Sequence, residues 1–509
     1  MSPAAYTRRM AATYILALDQ GTTSSRALVV DARGQVVGRG QEEFAQHYPE
    51  PGRVEHDPAD LWQSTLNAAR KALRAAGIGA RELAAIGITN QRETLVAWDR
   101  RTGEPVAPAI VWQDRRTAPI CEELREAGHE PAVQAASGLI LDPYFTGTKV
   151  TWLLRERPDL RRLAAEGNLA FGTVDSWLVW KLTGGERHVT DYTNASRTLL
   201  FNIDSGAWDD GLIELLDVPR GSLPEVLPSR GEFGTTAEEV LGAEVPILAV
   251  AGDQQAALFG QACFAEGQAK NTYGTGCFLL AHGGGKSVRS ANRLLTSLGA
   301  GSAPGQLEYV LEGSVFVAGS LVQWLRDGLG LIEASSDVEE LARSVADAGG
   351  VTIVPAFTGL GAPHWDPHAR GAVLGITRGV ERGHVARAAL EAIALSSAEL
   401  ALAMASDLGE PIRELRADGG AARNDLLMQL QADYLGCPVV RPRHTESTAV
   451  GAAYLAGLEA GVWAGQDEVE ALWAVDRVFE PVIGEDERGG KLANWRRAVA
   501  RTLRWAAEE

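Results

Sequence analysis

An α/β architecture of two related domains flanking a cleft is what the sequence predicts, and three observations carry that expectation. The chain has 509 residues, past the size at which one hydrophobic core keeps growing, so two domains of roughly 200 to 250 residues are the default. Strand-like apolar runs alternate with helical periodicity in both halves. Each half also carries, near its start, a turn of glycines and hydroxylated side chains between apolar segments. These are Asp19-Gln20-Gly21-Thr22-Thr23-Ser24-Ser25-Arg26 and Asn271-Thr272-Tyr273-Gly274-Thr275-Gly276-Cys277. A nucleotide is expected between the two hairpins.

Taken in order, the chain opens with strands at Tyr14 to Leu18, Arg26 to Val30 and Gln35 to Arg39, the last two joined by the turn Asp31-Ala32-Arg33-Gly34. The first hairpin is suited to phosphate. Gly21 lets the backbone approach a ligand, the amides and hydroxyls of Thr22, Thr23 and Ser24 can donate to anionic oxygens, and Arg26 adds positive charge. Asp19 at the strand end makes sense if Mg²⁺ stands between its carboxylate and the phosphates. Taken alone, the same residues also make an ordinary polar hairpin. Asp57-Pro58 reads as an N-cap and first helical residue, with Leu61, Leu66, Ala69 and Leu73 at helical spacing and Gly77 closing the helix.

Leu83 to Ile88 is a buried strand ending abruptly in Thr89-Asn90-Gln91-Arg92-Glu93, and ligand sites favour such strand ends. By itself that cluster also suits a solvated loop before the strand Thr94 to Trp98. Pro108 to Trp112 repeats the pattern and ends in Trp112-Gln113-Asp114-Arg115-Arg116, while Asp142-Pro143-Tyr144-Phe145 adds an aromatic pair on a proline-fixed turn. Trp112 and Tyr144 suit a core as well as a site. Lys149 to Glu156 and Thr173 to Leu182 are expected helices with Trp152, Trp177 and Trp180 buried, and neither carries evident chemistry.

Ile247 to Ala251 delivers a further polar cluster, Gly252-Asp253-Gln254-Gln255, into the helical stretch Ala256 to Gly260. On its own Asp253 reads as an N-cap. After the second hairpin, Gly283-Gly284-Gly285-Lys286-Ser287 imitates a P-loop, but Leu280 stands where its first glycine is required, so that reading is rejected. Helices are expected at Phe316 to Asp327, Val338 to Ala348 and His384 to Leu408, a strand at Val351 to Val354, and a loop at Thr358 to Pro367. Leu415 to Ala421 runs from strand into a glycine turn before the helix Asn424 to Leu435. Adjacent Gly419 and Gly420 let backbone lie flat against a planar ring, which suits a nucleoside, although a plain connecting turn uses the same residues. From Trp463 onward the chain is acidic and helix-prone, with Trp473, Trp495 and Trp505 as expected packing anchors.

The formal net charge of −18 argues against a nucleic-acid groove. The apolar runs fall short of the ~20 residues that span a bilayer. Met1 to Met10 lacks the apolar core and cleavage site of an export signal, and Met10 is an alternative start. Cys121, Cys263, Cys277 and Cys437 are scattered without zinc-type pairing, which suits a reducing cytosol. Cys277 has no neighbouring His except His282, so a nucleophilic role is not expected. A cytoplasmic enzyme is the expectation.

These motifs, in this order, resemble a known family. Asp19 to Arg26, Asn90 to Glu93, Gly252 to Gln255, Asn271 to Cys277 and Asp418 to Ala421, with wider signatures across Tyr144 to Glu156 and Gly371 to Glu391, are similar to those of the glycerol kinases. These are carbohydrate kinases that share the actin and hexokinase-like (ribonuclease H-like) ATPase fold. The resemblance runs from about Tyr14 to Trp505. It implies a domain at 13–261 with the polyol site and first phosphate hairpin, and one at 262–509 with the nucleotide site and a helical tail.

The resemblance further implies that Arg92, Glu93, Tyr144, Asp253 and Gln254 grip the hydroxyls of glycerol while Trp112 and Phe278 wall its carbon chain. A small triol offers little area to bury, so hydrogen bonds must supply the selectivity. Thr22, Thr23, Ser24, Arg26, Thr275, Gly319, Gln323, Gly420 and Asn424 are the implied ATP contacts, and Asp19 would hold Mg²⁺ through water. Asp253 is implied as the general base, taking the proton of a terminal hydroxyl as the γ-phosphoryl group of ATP moves across to give sn-glycerol 3-phosphate and ADP. Water resembles that hydroxyl, so the cleft is expected to close on glycerol. A homo-oligomer, dimer or tetramer, is expected.

Two other readings compete. An actin-like or chaperone-like ATPase needs no triol pocket, which leaves Arg92, Glu93, Trp112 and Asp253 unexplained. A kinase for a pentulose or another polyol is nearer, and Asn90 to Glu93 with Gly252 to Gln255 favours glycerol. In one region the chain departs from the family. Some members are inhibited by fructose 1,6-bisphosphate through a glycine-rich basic loop shortly before the Gly-Asp-Gln-Gln strand, whereas Ser229 to Pro246 here has Glu238, Glu239 and Glu244 and only Arg230 as a base. Others are activated by phosphorylation of a His in that region, and no His occurs between His188 and His282. Neither switch is expected.

Overall fold

The computed structural model of the protein describes residues 14–443 and 446–506, so the expectation for Met1 to Met10 lies outside the described residues. The chain forms two compact units. The first runs to Ala262 and takes in Ser297–Tyr309 and Ser447–Trp473. Its sheet contains β1 (Tyr14–Gln20), β2 (Ser24–Asp31), β3 (Val36–Glu43), β4 (Leu83–Asn90), β5 (Arg230–Thr235) and β6 (Pro246–Gly252), in the order β5-β6-β4-β1-β2-β3. β1, β2 and β3 form an antiparallel meander, β4 lies parallel to β1, β6 parallel to β4, and β5 antiparallel to β6.

The helix α1 (Pro58–Ala76) packs on β2 and β3, and the helix Ser447–Glu459 packs on β1, β4 and β6. Strands so covered read as continuous apolar runs, as Ile15 to Leu18 and Ala27 to Val30 do, all of them buried. Asp57 caps α1 by accepting from the Ala59 N–H, and Gly77 ends it in the left-handed conformation. Two further helices carry residues of interest, α2 (Thr146–Glu156) and α3 (Asp253–Gly260).

The helix Ser447–Glu459 comes late in the chain yet folds with the first unit because glycines let backbones touch. A side chain at Gly451 would collide with the Ala256 carbonyl, and one at Gly260 with that of Ser447. The chain therefore leaves the first unit and returns to it twice, whereas the sequence reading placed a single crossing after residue 261.

The second unit holds β7 (Gln268–Tyr273), β8 (Cys277–His282), β9 (Tyr309–Val315), β10 (Glu414–Asp418), β11 (Val439–Pro442) and β12 (Val475–Phe479). These six strands of its sheet follow the order β9-β8-β7-β10-β11-β12. From β9 to β12 the pairings run antiparallel, antiparallel, parallel, parallel, antiparallel, which repeats the first unit from β3 to β5. Its helices include α4 (Gly319–Asp327), α5 (Arg382–Leu408) and α6 (Asp425–Leu435). α5 is long and apolar enough to cross a bilayer, but it is mostly buried and packs on α6 in the core of this unit. Such burial marks a core helix.

Some local expectations change. Pro108 to Trp112 is a strand only at Ala109–Ile110. The helix expected from Phe316 begins at Gly319, because the Ala318 N–H is held by the Thr275 carbonyl at 2.8 Å. Trp152 is half-buried, with the Arg116 guanidinium 4.7 Å from its ring centroid. Trp495 is buried and donates to Glu399 at 2.9 Å. Trp505 is 74% exposed, beyond the helix Glu485–Val499, rather than a packing anchor of the core.

Candidate active site

Three parallel strands of the first unit end side by side. Gln20 on β1 stands in register with Asn90 on β4, and Asn90 with Gly252 on β6, so the polar clusters after these strands emerge together. In the hairpin, Asp19 faces Arg26 across the ladder, and the Gly21 N–H closes the turn on the Ser24 carbonyl at 3.0 Å. Gln91 ties this turn to the next cluster. Its N–H donates to the Gln20 carbonyl at 2.7 Å, and its side-chain amide donates to Gln20 Oε1 at 3.0 Å and to the Gly21 carbonyl at 3.1 Å. Thr22 and Ser24 are half-buried and Thr23 is exposed.

Arg92 and Glu93 are 2% and 1% exposed, and charges that deep require partners. Arg92 Nε lies 3.0 Å from Asp253 Oδ1 and 3.8 Å from Glu93 Oε1, and its Nη1 donates to Gln255 Oε1 at 3.1 Å. A side chain at Gly252 would collide with the Arg92 methylenes. Arg197, fully buried, donates from Nε to Glu93 Oε1 at 2.6 Å, and its guanidinium stands 5.5 Å from the Tyr144 ring centroid and 5.3 Å from that of Phe145. Asp253 is not an N-cap. Gly252 takes that position, and Asp253 is the first residue of α3, where the helix dipole favours a carboxylate. Its side chain is 31% exposed, which makes it the acid of this cluster that reaches solvent.

Trp112 is half-buried and stands between the first hairpin and Tyr144. Its Nε1–H donates to Thr22 Oγ1 at 2.9 Å, and its ring meets Tyr144 edge-on at 5.5 Å. Gln254 is 9% exposed, and its N–H donates to Asp253 Oδ1 at 2.7 Å.

Two site residues were missed by sequence reasoning. Lys149 is fully buried in the first turn of α2, which begins at Thr146 rather than at Lys149. Its Nζ donates to the carbonyls of Glu93 at 3.0 Å and Tyr144 at 2.6 Å. Burial pushes its amine down to about 7, against the pull of Glu93, Asp114, Asp142 and the Cys121 thiol. A lysine one residue before the apolar positions Val150, Trp152, Leu153 and Leu154 is the signal that could have found it. For Arg197 no comparable signal exists, because it stands alone between Ser196 and Thr198.

In the second unit the hairpin of β7 and β8 turns at Thr275, and α4 starts on that turn. The N–H groups of Ala318 and Ser320 donate to the Thr275 carbonyl at 2.8 and 3.1 Å, and that of Gly319 to the Gly274 carbonyl at 3.0 Å. Thr272 on β7 stands in register with Asp418 on β10, which brings the glycine turn beside the hairpin. Gly419, with φ +86°, lies so close to the Tyr273 backbone that a Cβ would collide. Thr275, Gln323 and Gly420 are exposed, while Phe278, Gly319 and Asn424 are half-buried. Asn424 caps α6, its Oδ1 accepting from the Leu427 N–H at 2.8 Å. Cys277 is buried, and burial pushes its thiol up to about 12, which makes it inert as a nucleophile.

The expected residues thus fall into two groups. Asp19, Thr22, Thr23, Ser24, Arg26, Arg92, Glu93, Trp112, Tyr144, Asp253 and Gln254 lie in the first unit, and Thr275, Phe278, Gly319, Gln323, Gly420 and Asn424 in the second.

The model of the N-terminal domain of the FGGY family of carbohydrate kinases matches residues 14–260, and that of the C-terminal domain matches 269–460. The glycerol kinase of Aromatoleum aromaticum is 61% identical over 494 residues, covering 97% of this chain and 99% of that protein. The glycerol kinase of Deinococcus radiodurans is 58% identical over 492 residues, covering 97% and 98%. The crystal structure of Plasmodium falciparum glycerol kinase with ADP matches with a TM-score of 0.90 at 35% identity, over 96% of this chain and 98% of that one. The xylulose kinase of Rhodospirillum rubrum shares the fold, with a TM-score of 0.85 at 24% identity over 96% and 98%. The duplicated sheet is that of the actin and hexokinase-like kinases, and the chain belongs to the FGGY family of carbohydrate kinases.

Proposed function

We propose that the protein transfers the γ-phosphoryl group of ATP to a terminal hydroxyl of glycerol, giving sn-glycerol 3-phosphate and ADP. The observation that carries this reading is a solvent-reaching Asp253 paired with buried Arg92 beside Glu93, in a chain 61% identical along nearly its whole length to a glycerol kinase. Arg92, Glu93, Tyr144 and Gln254 then hold the triol's hydroxyls by hydrogen bonds, whose loss would strand buried polar groups. Trp112 covers the carbon chain, and Phe278 on β8 is assigned to glycerol as well.

Asp253 is the general base in this reading. With Oδ1 engaged by Arg92 and by the Gln254 N–H, the hydroxyl proton goes to Oδ2 as the oxygen attacks phosphorus. Thr22, Thr23, Ser24 and Arg26 in the first unit meet the phosphates, and Thr275, Gly319, Gln323, Gly420 and Asn424 in the second take the rest of the nucleotide. Asp19 stands at the end of β1, beside the phosphate turn. Mg²⁺ keeps waters and takes other ligands from phosphates, so one carboxylate beside a phosphate turn is enough protein for it. Held through water by Asp19, the ion would neutralise phosphate charge.

We also propose the cytoplasm as the compartment, because the four cysteines are buried thiols and none is in a disulfide. A homo-oligomer, dimer or tetramer, is proposed with it. The edge strand β12 leaves Val475 and Val478 exposed, as an edge that pairs with another copy would. Sedimentation velocity checks that state.

The function is tested by ATP-dependent product formation over a panel of polyols and ketoses, with mass spectrometry of the products. Glycerol phosphate as the dominant product supports the reading. A ketose phosphate formed in preference, or ATP hydrolysis without a phosphorylated polyol, overturns it.

A further inference from the structure

We propose that Lys149 is a positioning residue of the polyol site, tying the backbone of Glu93 to that of Tyr144 and so setting where the Glu93 carboxylate and the Tyr144 ring stand. The proposal rests on the reading of Glu93 and Tyr144 as polyol contacts.

Three observations carry it. First, Lys149 Nζ joins two separate segments, the cluster after β4 and the turn before α2, through the Glu93 carbonyl at 3.0 Å and the Tyr144 carbonyl at 2.6 Å. Thr146 Oγ1 donates to the same Glu93 carbonyl at 3.1 Å, so the first turn of α2 grips one peptide group with two donors. Second, Glu93 has φ +50°, a left-handed conformation that a residue with a Cβ adopts only where its surroundings impose it. Third, Lys149 is a costly choice for stability alone. It is a fully buried amine, costly to charge there, in a helix's first turn, where the dipole disfavours positive charge, and a methionine would fill similar space without that burden.

The rest of the site depends on this clamp. Arg197 Nε holds Glu93 Oε1 at 2.6 Å, so the glutamate is located by its carbonyl on one side and by its carboxylate on the other. Glu93, Asp114, Asp142 and the Cys121 thiol act on the Lys149 amine, and both of its hydrogen bonds go to backbone carbonyls. An uncharged amine still has two hydrogens to donate, so the clamp works through donors rather than charge.

The test is Lys149→Met in the full chain, with KM for glycerol, KM for ATP and kcat measured separately, together with the glycerol-induced shift in Tm, which reads binding without turnover. Loss of two buried hydrogen bonds should raise KM for glycerol by about 10-fold or more and shrink the Tm shift, with KM for ATP within about 2-fold of wild type. A folded variant with both glycerol readouts unchanged overturns the proposal. So does an equal rise in both KM values, which is what a general loss of structure produces. If Lys149→Met does not fold, Thr146→Val decides. Losing one donor to the same carbonyl should raise KM for glycerol about 2- to 5-fold at constant KM for ATP, and an unchanged KM overturns the proposal. The wild-type chain is first run over the polyol panel. Should another polyol prove to be the substrate, the comparison is made with that polyol, so a failure of the glycerol reading and a failure of the clamp remain distinguishable.

Discussion

Replacing Asp253 by Asn removes one negative charge at nearly constant volume, so it isolates the proton-accepting role. In the wild type, Asp253 Oδ1 lies 3.0 Å from Arg92 Nε and accepts from the Gln254 N–H at 2.7 Å. An asparagine oxygen keeps both contacts, and the basic second oxygen disappears. The lost charge also weakens the pair with Arg92, but Asp253 is 31% exposed, and solvent screening holds that loss to about 1 kcal/mol or less. KM for glycerol should therefore change by less than about 5-fold. A positioned general base is worth ~10²- to 10⁴-fold, or about 3 to 5 kcal/mol in the barrier. The second effect dominates. Coupled detection of ADP release at saturating glycerol and ATP should show kcat lower by that factor, with a glycerol titration supplying KM. A variant with wild-type kcat refutes the assignment of the base. So does an unchanged kcat with a greatly raised KM, which would make Asp253 a binding group only.

Trp112→Phe keeps an aromatic wall but removes the Nε1–H that holds Thr22, so KM for ATP should rise about 3- to 10-fold, the worth of roughly one hydrogen bond. Trp112→Ala should weaken glycerol use as well, and circular dichroism should find both variants folded. A grossly unfolded Trp112→Ala would place that residue in the core. Asp175 is fully buried, and its carboxyl is pushed up to about 7 by burial first and by Asp191 second. Between the ordinary value of 3.8 and 7 the folded acid keeps a proton that the unfolded chain has lost. Its contribution to stability therefore falls as pH rises through that window, and the penalty is complete above it. Asp175→Asn, which never ionises, should gain Tm relative to wild type between about pH 4 and about pH 8, and a difference that stays constant in a thermal-melt series would contradict this. Fructose 1,6-bisphosphate at millimolar concentration should not inhibit, because Arg230, the one base in its stretch, already faces Glu459 at 3.6 Å and the turn at Glu238–Leu241 is acidic. Saturable inhibition at constant ionic strength and free Mg²⁺ would reveal a site elsewhere.

The sequence by itself determined the hairpins at Asp19 to Arg26 and Asn271 to Cys277 and the polar clusters after Ile88 and Ala251, because each is a local pattern. A buried strand must be apolar and must then stop, and the polar residues beyond its end are legible in the chain itself. It also determined the duplication, since both halves open with the same chemistry. Only the tertiary structure decided that Trp112 binds Thr22 rather than filling a core, and that the helix Ser447–Glu459 folds with the first unit. Only there do Lys149 and Arg197 meet the carbonyl and the carboxylate of Glu93. The reason is physical. Backbone periodicity is written in neighbours along the chain, whereas the partner of a buried charge or ring is set by which distant segments pack against it, and no spacing in the sequence records that choice.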